Sequence, residues 1–371
     1  MNAPPTISAP PPAPDLGGWL HDLSPFAFRI SGDFGVRWYG LAYIAGFIVA
    51  YALLRMLARR KFTPIPPDRA LDAILWLVLG VLLGGRLGYV LLYQPSLLSQ
   101  FSSDPPWWGL LAINQGGMAS HGAIVGLIIA AWRISRGFKS PDGRIEGRCP
   151  PLHVMDLLPM LGMVGYALGR LANFVNGELL GRVVSPPGQP APWWAVRFPQ
   201  EVLTNHAPKL SDIQQARLDL LVQEHALPDD TYIQAYERVI ESVVHGSISV
   251  RERLEPLLSA RHPSQIYQAL EGLIVLAIVW IIAAKPRRPG VIGCAFLISY
   301  GLLRITTEFW RLPDDHLAHQ RILGFSRGQW LSALMVLAGV VVLSKILRSD
   351  APKMGGWLKP AQPESESEPD A

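Results

Sequence analysis

The sequence contains little charge and almost no cysteine. Of its 371 residues, 17% are charged and half are hydrophobic, and its two cysteines are Cys149 and Cys294. We expect the first in a cytoplasmic loop and the second inside a membrane helix, which excludes a disulfide framework and a cysteine-based metal site. Together with a mean hydropathy of +0.24, the low charge argues against an ordinary soluble protein of this length.

Long apolar runs are present instead. A helix needs about 20 apolar residues to span a bilayer, and seven runs of this kind occur in the chain. They lie near residues 38–57, 70–93, 116–134, 154–174, 265–284, 291–310 and 328–347. The sequence therefore predicts an all-α polytopic membrane protein with about seven transmembrane helices.

Lysine and arginine are distributed unevenly among the connecting loops. The loop at 94–115 contains neither, whereas basic residues follow the first, third, fifth and seventh runs. By the positive-inside rule, this predicts an N-terminus outside the membrane and a cytoplasmic C-terminus. Topology and attraction to anionic lipids then explain the net charge of +4. No nucleic-acid partner is expected, because no basic patch interleaves with aromatic residues in a soluble module.

Both ends of the chain are polar. Residues 1–18 are rich in proline and alanine and lack the apolar core of a cleavable signal peptide. We therefore expect a disordered N-terminal tail and an uncleaved first span. Residues 349–371 end in alternating glutamate and serine and are expected to form a disordered cytoplasmic tail. Residues 19–348 form the predicted transmembrane domain.

One long segment of this domain, 183–260, is polar as well. It contains turn-forming proline and glycine near its start. Apolar residues then recur at helical spacing in 212–224 and 232–244, with charges on the opposite face. The sequence predicts that these two amphipathic helices form a small outer head.

Two of the apolar runs carry glycines at four-residue spacing. Gly80, Gly84 and Gly88 lie in the second run, and Gly122 and Gly126 lie in the third. In lipid, small residues at this spacing allow two helices to approach closely. Packing alone is a sufficient explanation of these glycines, so we expect the two helices to form the tight centre of the bundle.

Arginine, asparagine and glutamate are concentrated at the end of the fourth run. Arg170 and Asn173 are three residues apart and share one helix face, and Asn176 and Glu178 follow them. A lone arginine here would be explained by snorkelling to the membrane boundary. The polar residues around it instead indicate a functional site, because ionisable groups at membrane depth are costly and usually face a cavity.

A second group of charges ends the sixth run. Arg304, Glu308 and Arg311 have the spacing i, i+4 and i+7, which predicts a shared helix face. A structural ion pair would explain Arg304 and Glu308, while the additional positive charge indicates an anionic ligand such as a phosphate. Arg86, in the second run, is an isolated intramembrane charge that needs a partner or an aqueous cavity.

His121 and Tyr39 each have an ordinary explanation as well as a chemical one. His121 lies at the outer end of the third run, where a lone histidine is usually a packing residue. No other histidine, cysteine or carboxylate lies at metal-ligand spacing from it, so no metal site is predicted. Tyr39 begins the first run, where tyrosine ordinarily belongs to the interfacial aromatic belt.

Taken in order, these motifs resemble those of the prolipoprotein diacylglyceryl transferases of bacteria. The resemblance covers about residues 36–347 and is most specific in the pattern Gly-Arg-x-Ala-Asn-Phe-x-Asn-x-Glu-x-x-Gly at 169–181. Ala119 and Ala172 are mild departures from the family pattern, and the segment 183–260 is longer than usual. The other matching blocks lie at 37–41, 84–89, 116–122, 261–267 and 300–311.

Members of this family transfer the diacylglyceryl group of phosphatidylglycerol to the lipobox cysteine thiol of a preprolipoprotein, forming a thioether and releasing glycerol phosphate in the bacterial inner membrane. The resemblance implies that domain 19–348 is catalytic, with phosphatidylglycerol, the lipobox cysteine and membrane lipids as partners and no metal or organic cofactor. It implies catalytic roles for Tyr39, His121, Arg170, Glu178 and Arg304. It implies phosphatidylglycerol binding by Arg86, Arg170, Asn173, Asn176, Arg304, Glu308 and Arg311.

The chemistry of such a transfer leaves the source of the thiolate open. A thiol must lose its proton to attack the sp³ carbon that bears the phosphate ester, and a free thiol has a pKa of about 8.5. Either His121 accepts this proton, or the field of the arginines lowers the thiol pKa and His121 only forms hydrogen bonds. Arg170 and Arg304 are expected to bind the phosphate through their planar guanidinium groups. Glu308 is expected to orient Arg304, and Glu178 to order the loop that holds the asparagines.

Two other functions fit parts of the pattern. Another phospholipid head-group transferase, of the CDP-alcohol phosphatidyltransferase type, would need an Asp-rich metal-binding helix that the sequence lacks. A transporter of anionic substrates would have similar arginines in its cavity. Metal-independent consumption of phosphatidylglycerol with a thiol peptide would support transfer, and flux without chemistry would support transport.

Overall fold

A computed structural model of the chain describes residues 16–31, 34–103, 105–112, 116–312 and 323–358. Helices predominate in this part of the chain. They are α1 (Trp38–Arg59), α2 (Ala70–Leu92), α3 (Ser120–Ser135), α4 (Pro151–Asn176), α5 (Asp212–His225), α6 (Tyr232–Val244), α7 (Ile248–Leu254), α8 (Ser264–Ala283), α9 (Val291–Thr307) and α10 (Arg327–Arg348).

Seven of these helices coincide with the seven apolar runs. Within the described residues, five helical segments are long and apolar enough to cross a membrane, judged by length and composition. They are α1, Pro67–Leu92 (which contains α2), α4, α8 and α10. The apolar helices α3 and α9 are shorter, with 16 and 17 residues. A helical membrane protein with several spans is therefore confirmed, and the number of seven spans stays a prediction.

The start of α3 shows why this helix is shorter than its apolar run. The run begins at residue 116, but Gly116 and Gly117 have φ angles of +86° and +78°. These left-handed values are open to glycine and interrupt a right-handed helix. The helix consequently begins at Ser120, and His121 lies in its first turn.

The end of α9 corrects one expectation from the sequence. The helix ends at Thr307, and residues 308–310 form a turn. The predicted helix face shared by Arg304, Glu308 and Arg311 is therefore wrong, because only Arg304 lies within the helix. The backbone of Arg311 forms an antiparallel β-bridge with Gly181 instead of continuing the helix.

The expectation of an all-helical protein is wrong in one respect, because the described residues include short strands. The strands are β1 (Trp19–Leu20), β2 (Phe26–Ser31), β3 (Phe34–Arg37), β4 (Phe138–Lys139), β5 (Ile145–Glu146), β6 (Val183–Ser185), β7 (Val196–Arg197) and β8 (Ala260–Arg261). One four-stranded sheet has the order β1-β7-β8-β6, while β2 pairs with β3 and β4 with β5. Most of these strands have only two or three residues, too few for a visible alternation of polar and apolar side chains.

The chain divides into two compact units. The first consists of Met1–Leu41, Gly169–Ala269 and Thr306–Arg327, and the second of Ala42–Leu168, Leu270–Ile305 and Gly328–Ala371. Each unit has an apolar core of its own.

In the first unit, α5 and α6 bury apolar side chains together with α7. Both longer helices begin with a capping box, in which the side chains of Ser211 and Thr231 accept hydrogen bonds from backbone N–H groups three residues later. Such a box satisfies N–H groups that have no partner inside the helix. The amphipathic helices predicted at 212–224 and 232–244 are confirmed to within one residue.

In the second unit, α2 and α3 pack backbone against backbone. A Cβ atom added to Gly84 would lie 2.9 Å from the Cα of Gly126, and one added to Gly88 would lie 2.7 Å from the Cα of Gly122. Real Cβ atoms do not approach other atoms so closely, so larger side chains would separate the two helices. The close packing predicted from the glycine spacing is confirmed.

Part of the predicted C-terminal tail is folded. Met354 forms a β-bridge with Arg287, and the indole nitrogen of Trp357 donates a hydrogen bond of 2.9 Å to the backbone oxygen of Trp280. These contacts order residues 349–358, because they attach the chain after α10 to the end of α8 and the loop that follows it. Residues 16–18 of the predicted N-terminal tail are also described, and the Leu16 carbonyl accepts a hydrogen bond of 2.8 Å from the Ala191 N–H. The remaining parts of the predicted tails, 1–15 and 359–371, lie outside the described residues.

Candidate active site

The polar pattern at 169–181 folds into the last two turns of α4 and a loop. We call residues 177–181 the signature loop. α4 ends at Asn176 because Gly177 has a φ of +68°, a conformation that glycine adopts at little cost. The backbone N–H of Glu178 then donates to the Asn173 carbonyl over 3.0 Å and closes the turn. The turn brings the Glu178 side chain back to the end of α4.

Asn173 connects two other predicted site residues, Tyr39 and Glu178. Its side chain is 5% exposed, and its Nδ2 donates to the Tyr39 hydroxyl over 2.7 Å and to Glu178 Oε2 over 3.1 Å. Asn176 Nδ2 lies 3.4 Å from the other carboxylate oxygen of Glu178. Tyr39, Asn173, Asn176 and Glu178 are thus brought together in the first unit. Arg170 lies one turn before Asn173 on α4 and is partly buried.

The N-terminus of α8 holds the signature loop from another side. Ser264 Oγ donates to the Leu179 carbonyl over 2.9 Å, and Gln265 Nε2 donates to the Glu178 carbonyl over 2.5 Å. Gly181 packs so closely on the His262 backbone that a Cβ atom could not be accommodated there. The sequence placed the block 261–267 at the start of a span and gave no indication that it contacts the signature loop.

A short segment after α9 pairs with the same loop. Gly181 forms the β-bridge with Arg311, the Leu312 N–H donates to the Leu180 carbonyl over 3.2 Å, and the Arg182 N–H donates to the Trp310 carbonyl over 3.0 Å. The backbone of Arg311 is therefore adjacent to the loop, and the binding role of its side chain stays a prediction. Glu308 accepts a hydrogen bond of 3.0 Å from Ser326 Oγ.

A buried ion pair lies behind the loop. Arg261 donates through Nε to Glu201, and its other nitrogens donate to the carbonyls of Gly181 at 3.2 Å and His206 at 2.7 Å. Arg261 is 2% exposed and Glu201 is fully buried. Desolvation raises the pKa of Glu201, and the adjacent guanidinium opposes this rise. No sequence pattern predicts that these two residues pair.

His262 is a further titratable group beside the loop. Its ring stacks on Trp194 with centroids 5.0 Å apart, and Nδ1 lies 3.3 Å from the Tyr267 hydroxyl. Burial and the nearby charge of Arg182 lower the pKa of His262. A lowered pKa favours the neutral imidazole near pH 7.

In the second unit, the structure gives Arg86 a set of backbone partners. Its guanidinium is 5% exposed and donates to the carbonyls of Gly109, Leu110, Gly116 and Gly117 at distances of 2.5 to 2.9 Å. These residues belong to the loop that precedes α3. The carbonyl groups of this loop are therefore the partners that the intramembrane charge of Arg86 needs. His121 follows the loop in the first turn of α3, and its side chain is exposed.

Arg304 lies in a cluster of polar and aromatic side chains in the second unit. The rings of Tyr166 and Tyr300 pack edge to face with centroids 5.8 Å apart, and Tyr300 interacts electrostatically with Glu271 and Arg304. Glu271 is 2% exposed in the middle of α8. Glu271 is not among the residues predicted from the sequence, although polar residues at 265, 268 and 271 mark one face of the span.

Among the described residues, no group of three or more histidine, cysteine, aspartate or glutamate side chains is arranged to hold a metal ion. The polar groups gathered at the signature loop are amides, hydroxyls and a carboxylate, held by a network of hydrogen bonds. Such groups can orient a ligand by hydrogen bonding.

Comparison with known proteins connects this site to one family. The family model described as prolipoprotein diacylglyceryl transferase matches residues 25–345. A phosphatidylglycerol–prolipoprotein diacylglyceryl transferase of Bdellovibrio bacteriovorus is 39% identical over 357 residues, covering 92% of this chain and 97% of the relative. Relatives of the same name from Neisseria gonorrhoeae and Paraburkholderia phymatum are 34% and 35% identical, covering 86% and 87% of this chain and 95% and 92% of their own lengths.

Proposed function

The chain belongs to the prolipoprotein diacylglyceryl transferase family, and from this premise we propose that it transfers the diacylglyceryl group of phosphatidylglycerol to the lipobox cysteine of preprolipoproteins. The products are a thioether-linked lipid on the cysteine and glycerol phosphate. The observation that best supports this proposal is the assembly of Tyr39, Asn173 and Glu178 at the signature loop, inside the segment that the family model matches.

The reaction makes two demands on the protein. The cysteine sulfur forms a bond to the sp³ carbon of the diacylglyceryl group, while the bond between that carbon and the phosphate oxygen breaks and its electron pair stays on the phosphate. The thiol proton must therefore be removed, and the negative charge of the leaving group must be stabilised. We assign the second task to Arg170 and Arg304, because a guanidinium binds phosphate through two parallel hydrogen bonds.

The residues around Asn173 would position this chemistry. Glu178 and Tyr39 restrain the Asn173 amide from two sides, so that the end of α4 and Arg170 are held in one conformation. Arg86 would act at a distance by holding the loop before α3, which leads directly to His121. Prearranged groups of this kind stabilise developing charge without reorganising during the reaction.

The proton acceptor is assigned to His121, with the arginine field as the competing source of the thiolate. The exposed position of His121 in the first turn of α3 leaves its ring accessible to a substrate thiol. A neutral imidazole is suited to accept a proton near pH 7.

We further propose that α3 and α9 span the membrane together with the five longer apolar helices. The loop charges then place the N-terminus outside the bacterial inner membrane and the C-terminus in the cytoplasm. In this arrangement the segment 183–260 forms an outer head, on the side where a translocated lipobox cysteine arrives.

The activity can be tested with purified protein in detergent, phosphatidylglycerol and a peptide that contains one lipobox cysteine. We expect the peptide to gain the mass of one diacylglyceryl group, with release of an equal amount of glycerol phosphate. A peptide with serine in place of the cysteine is the control and should remain unmodified. Movement of an anion across vesicles without any modified peptide would contradict the proposal and support a transporter.

A further inference from the structure

Several carboxamide groups near the signature loop are buried without a hydrogen-bonding partner among the described residues. The atoms are Asn176 Oδ1, Gln200 Oε1, Gln265 Oε1 and both polar atoms of Gln268. We call these four residues the carboxamide cluster. Gln265 and Gln268 are each 1% exposed. A buried polar group without a partner is unfavourable, so a cluster of them indicates a ligand that completes the hydrogen bonds.

The position of the cluster is set by contacts with residues 176–178. The Gln200 side chain packs against Gly177, with its Cγ 2.9 Å from where a glycine Cβ would lie. Gln265 Nε2 donates to the Glu178 carbonyl, so this face of α8 is directed toward the signature loop. Gln268 follows at i+3 on the same face, about 4.5 Å further along the helix axis. All four residues belong to the first unit.

The chemistry of the cluster selects the ligand. Carboxamides are uncharged, so the cluster does not compete with an arginine for a phosphate. Four of the five partnerless atoms are acceptor oxygens, and a matching ligand must therefore chiefly donate hydrogen bonds. A hydroxyl group donates to an amide oxygen and also accepts from an amide N–H, as Gln268 would require.

We propose that the carboxamide cluster binds the two hydroxyl groups of the glycerol head group of phosphatidylglycerol, and that Gln268 determines the selectivity of the enzyme for this head group. This inference rests on the proposed function. The inference adds to the proposed function a subsite for the glycerol head group, the part of the lipid that leaves as glycerol phosphate. Arg170 precedes Asn176 on the same helix, so a phosphate at Arg170 and a glycerol at the cluster are compatible with one bound lipid.

The substitution Gln268→Leu separates this role from a structural one. Leucine removes both partnerless atoms, so the unfolding temperature should stay unchanged or rise, whereas loss of an internally bonded amide would lower it. The KM for phosphatidylglycerol should increase about tenfold, as expected for the loss of about one net hydrogen-bonding interaction. Inhibition by free sn-glycerol 1-phosphate should weaken by a similar factor. The matched control is Gln329→Leu, which replaces another buried glutamine, in α10. It should leave the KM for phosphatidylglycerol and the inhibition by sn-glycerol 1-phosphate unchanged.

Competition experiments test the selectivity. Phosphatidic acid with the same acyl chains lacks the glycerol head group, so its inhibition constant should be similar in wild type and Gln268→Leu. A lower unfolding temperature, an equal loss of affinity for both lipids, or an effect confined to the KM of the lipobox peptide would each overturn the subsite. If the wild-type protein does not modify the cysteine peptide at all, the proposed function itself fails, which is a distinguishable result.

Discussion

Asn173 and Tyr39 lie 134 positions apart in the sequence, yet the Asn173 amide donates a hydrogen bond of 2.7 Å to the Tyr39 hydroxyl. The same amide nitrogen donates to Glu178. This contact joins the start of α1 to the end of α4 within the first unit. Tyr39, which its position alone would explain as an aromatic-belt tyrosine, is therefore part of the candidate active site.

Replacing Tyr39 with phenylalanine should impair both activity and stability. The buried Asn173 amide would lose one of its acceptors, which is expected to lower the free energy of unfolding by about 1–3 kcal/mol. We expect a reduced kcat together with a lower unfolding temperature in detergent. Tyr93→Phe is a suitable control, because Tyr93 is 62% exposed. Wild-type turnover by Tyr39→Phe would show that the contact does not position the site.

Arg86→Lys should disturb the loop before α3. Lysine retains the charge but cannot reach four carbonyls at once, so buried acceptors would be left unsatisfied, at about 1–3 kcal/mol for each. We expect a lower unfolding temperature and faster hydrogen exchange at residues 109–112, 116 and 117, with Arg60→Lys, a substitution at an exposed residue, as the control. If stability and exchange are unchanged while the KM for phosphatidylglycerol rises, the role predicted from the sequence, direct lipid binding, would be preferred.

Lysine substitutions should also separate charge from geometry at the proposed phosphate ligands. Arg170→Lys and Arg304→Lys retain the positive charge and lose the planar fork, and each is expected to lower kcat/KM about 100-fold. Arg144→Lys, at a side chain that is 84% exposed, should have no effect. Normal turnover by a well-folded Arg304→Lys would rule out bidentate binding at that position.

The pH dependence of His121→Gln distinguishes the two sources of the thiolate. If His121 accepts the proton, the variant should lose about 100-fold in rate near pH 7. This loss should shrink as the pH approaches the thiol pKa of about 8.5, because the thiolate then forms without help. An unchanged pH–rate profile with normal rates would remove His121 from the chemistry and favour the arginine field.

His21 should make the fold sensitive to acid. Its ring is buried among aromatic side chains, its Nε2 lies 2.8 Å from the Phe174 carbonyl, and burial lowers its pKa from 6.5 to about 4. The unfolded chain therefore binds a proton at a higher pH than the folded chain. The stability contributed by neutral His21 is complete above pH 6.5 and is lost as the pH falls toward 4, by about 2 kcal/mol at pH 5.

This sensitivity can be measured as the unfolding temperature between pH 7 and pH 4.5. The variant His21→Gln should show a flatter curve than the wild type, even if it is less stable at pH 7. His245→Gln is a control outside this aromatic cluster, on an exposed histidine that follows α6. Parallel curves for wild type and His21→Gln would contradict the assignment.

The sequence by itself determined the features that depend on local patterns. The seven apolar runs marked the positions of five helices long enough to span a membrane and of the two shorter apolar helices α3 and α9, because burial in lipid requires a continuous stretch of apolar side chains. The glycine spacing in α2 and α3 predicted their close packing, since a four-residue repeat places small residues on one helix face. The density of polar residues at 170–178 located the candidate site, because such groups are unfavourable in a span without a function.

The tertiary structure alone decided which distant residues meet. Ser264 and Gln265 hold the signature loop from more than 80 positions away, and Arg261 pairs with Glu201 across 60 positions. The turn after α9 removes Glu308 and Arg311 from the helix face that their spacing predicted, and Arg86 binds carbonyls of an irregular loop. These contacts depend on helix register and on loop conformations that have no repeating pattern. No local periodicity in the sequence encodes them, so they become visible only once the chain is folded.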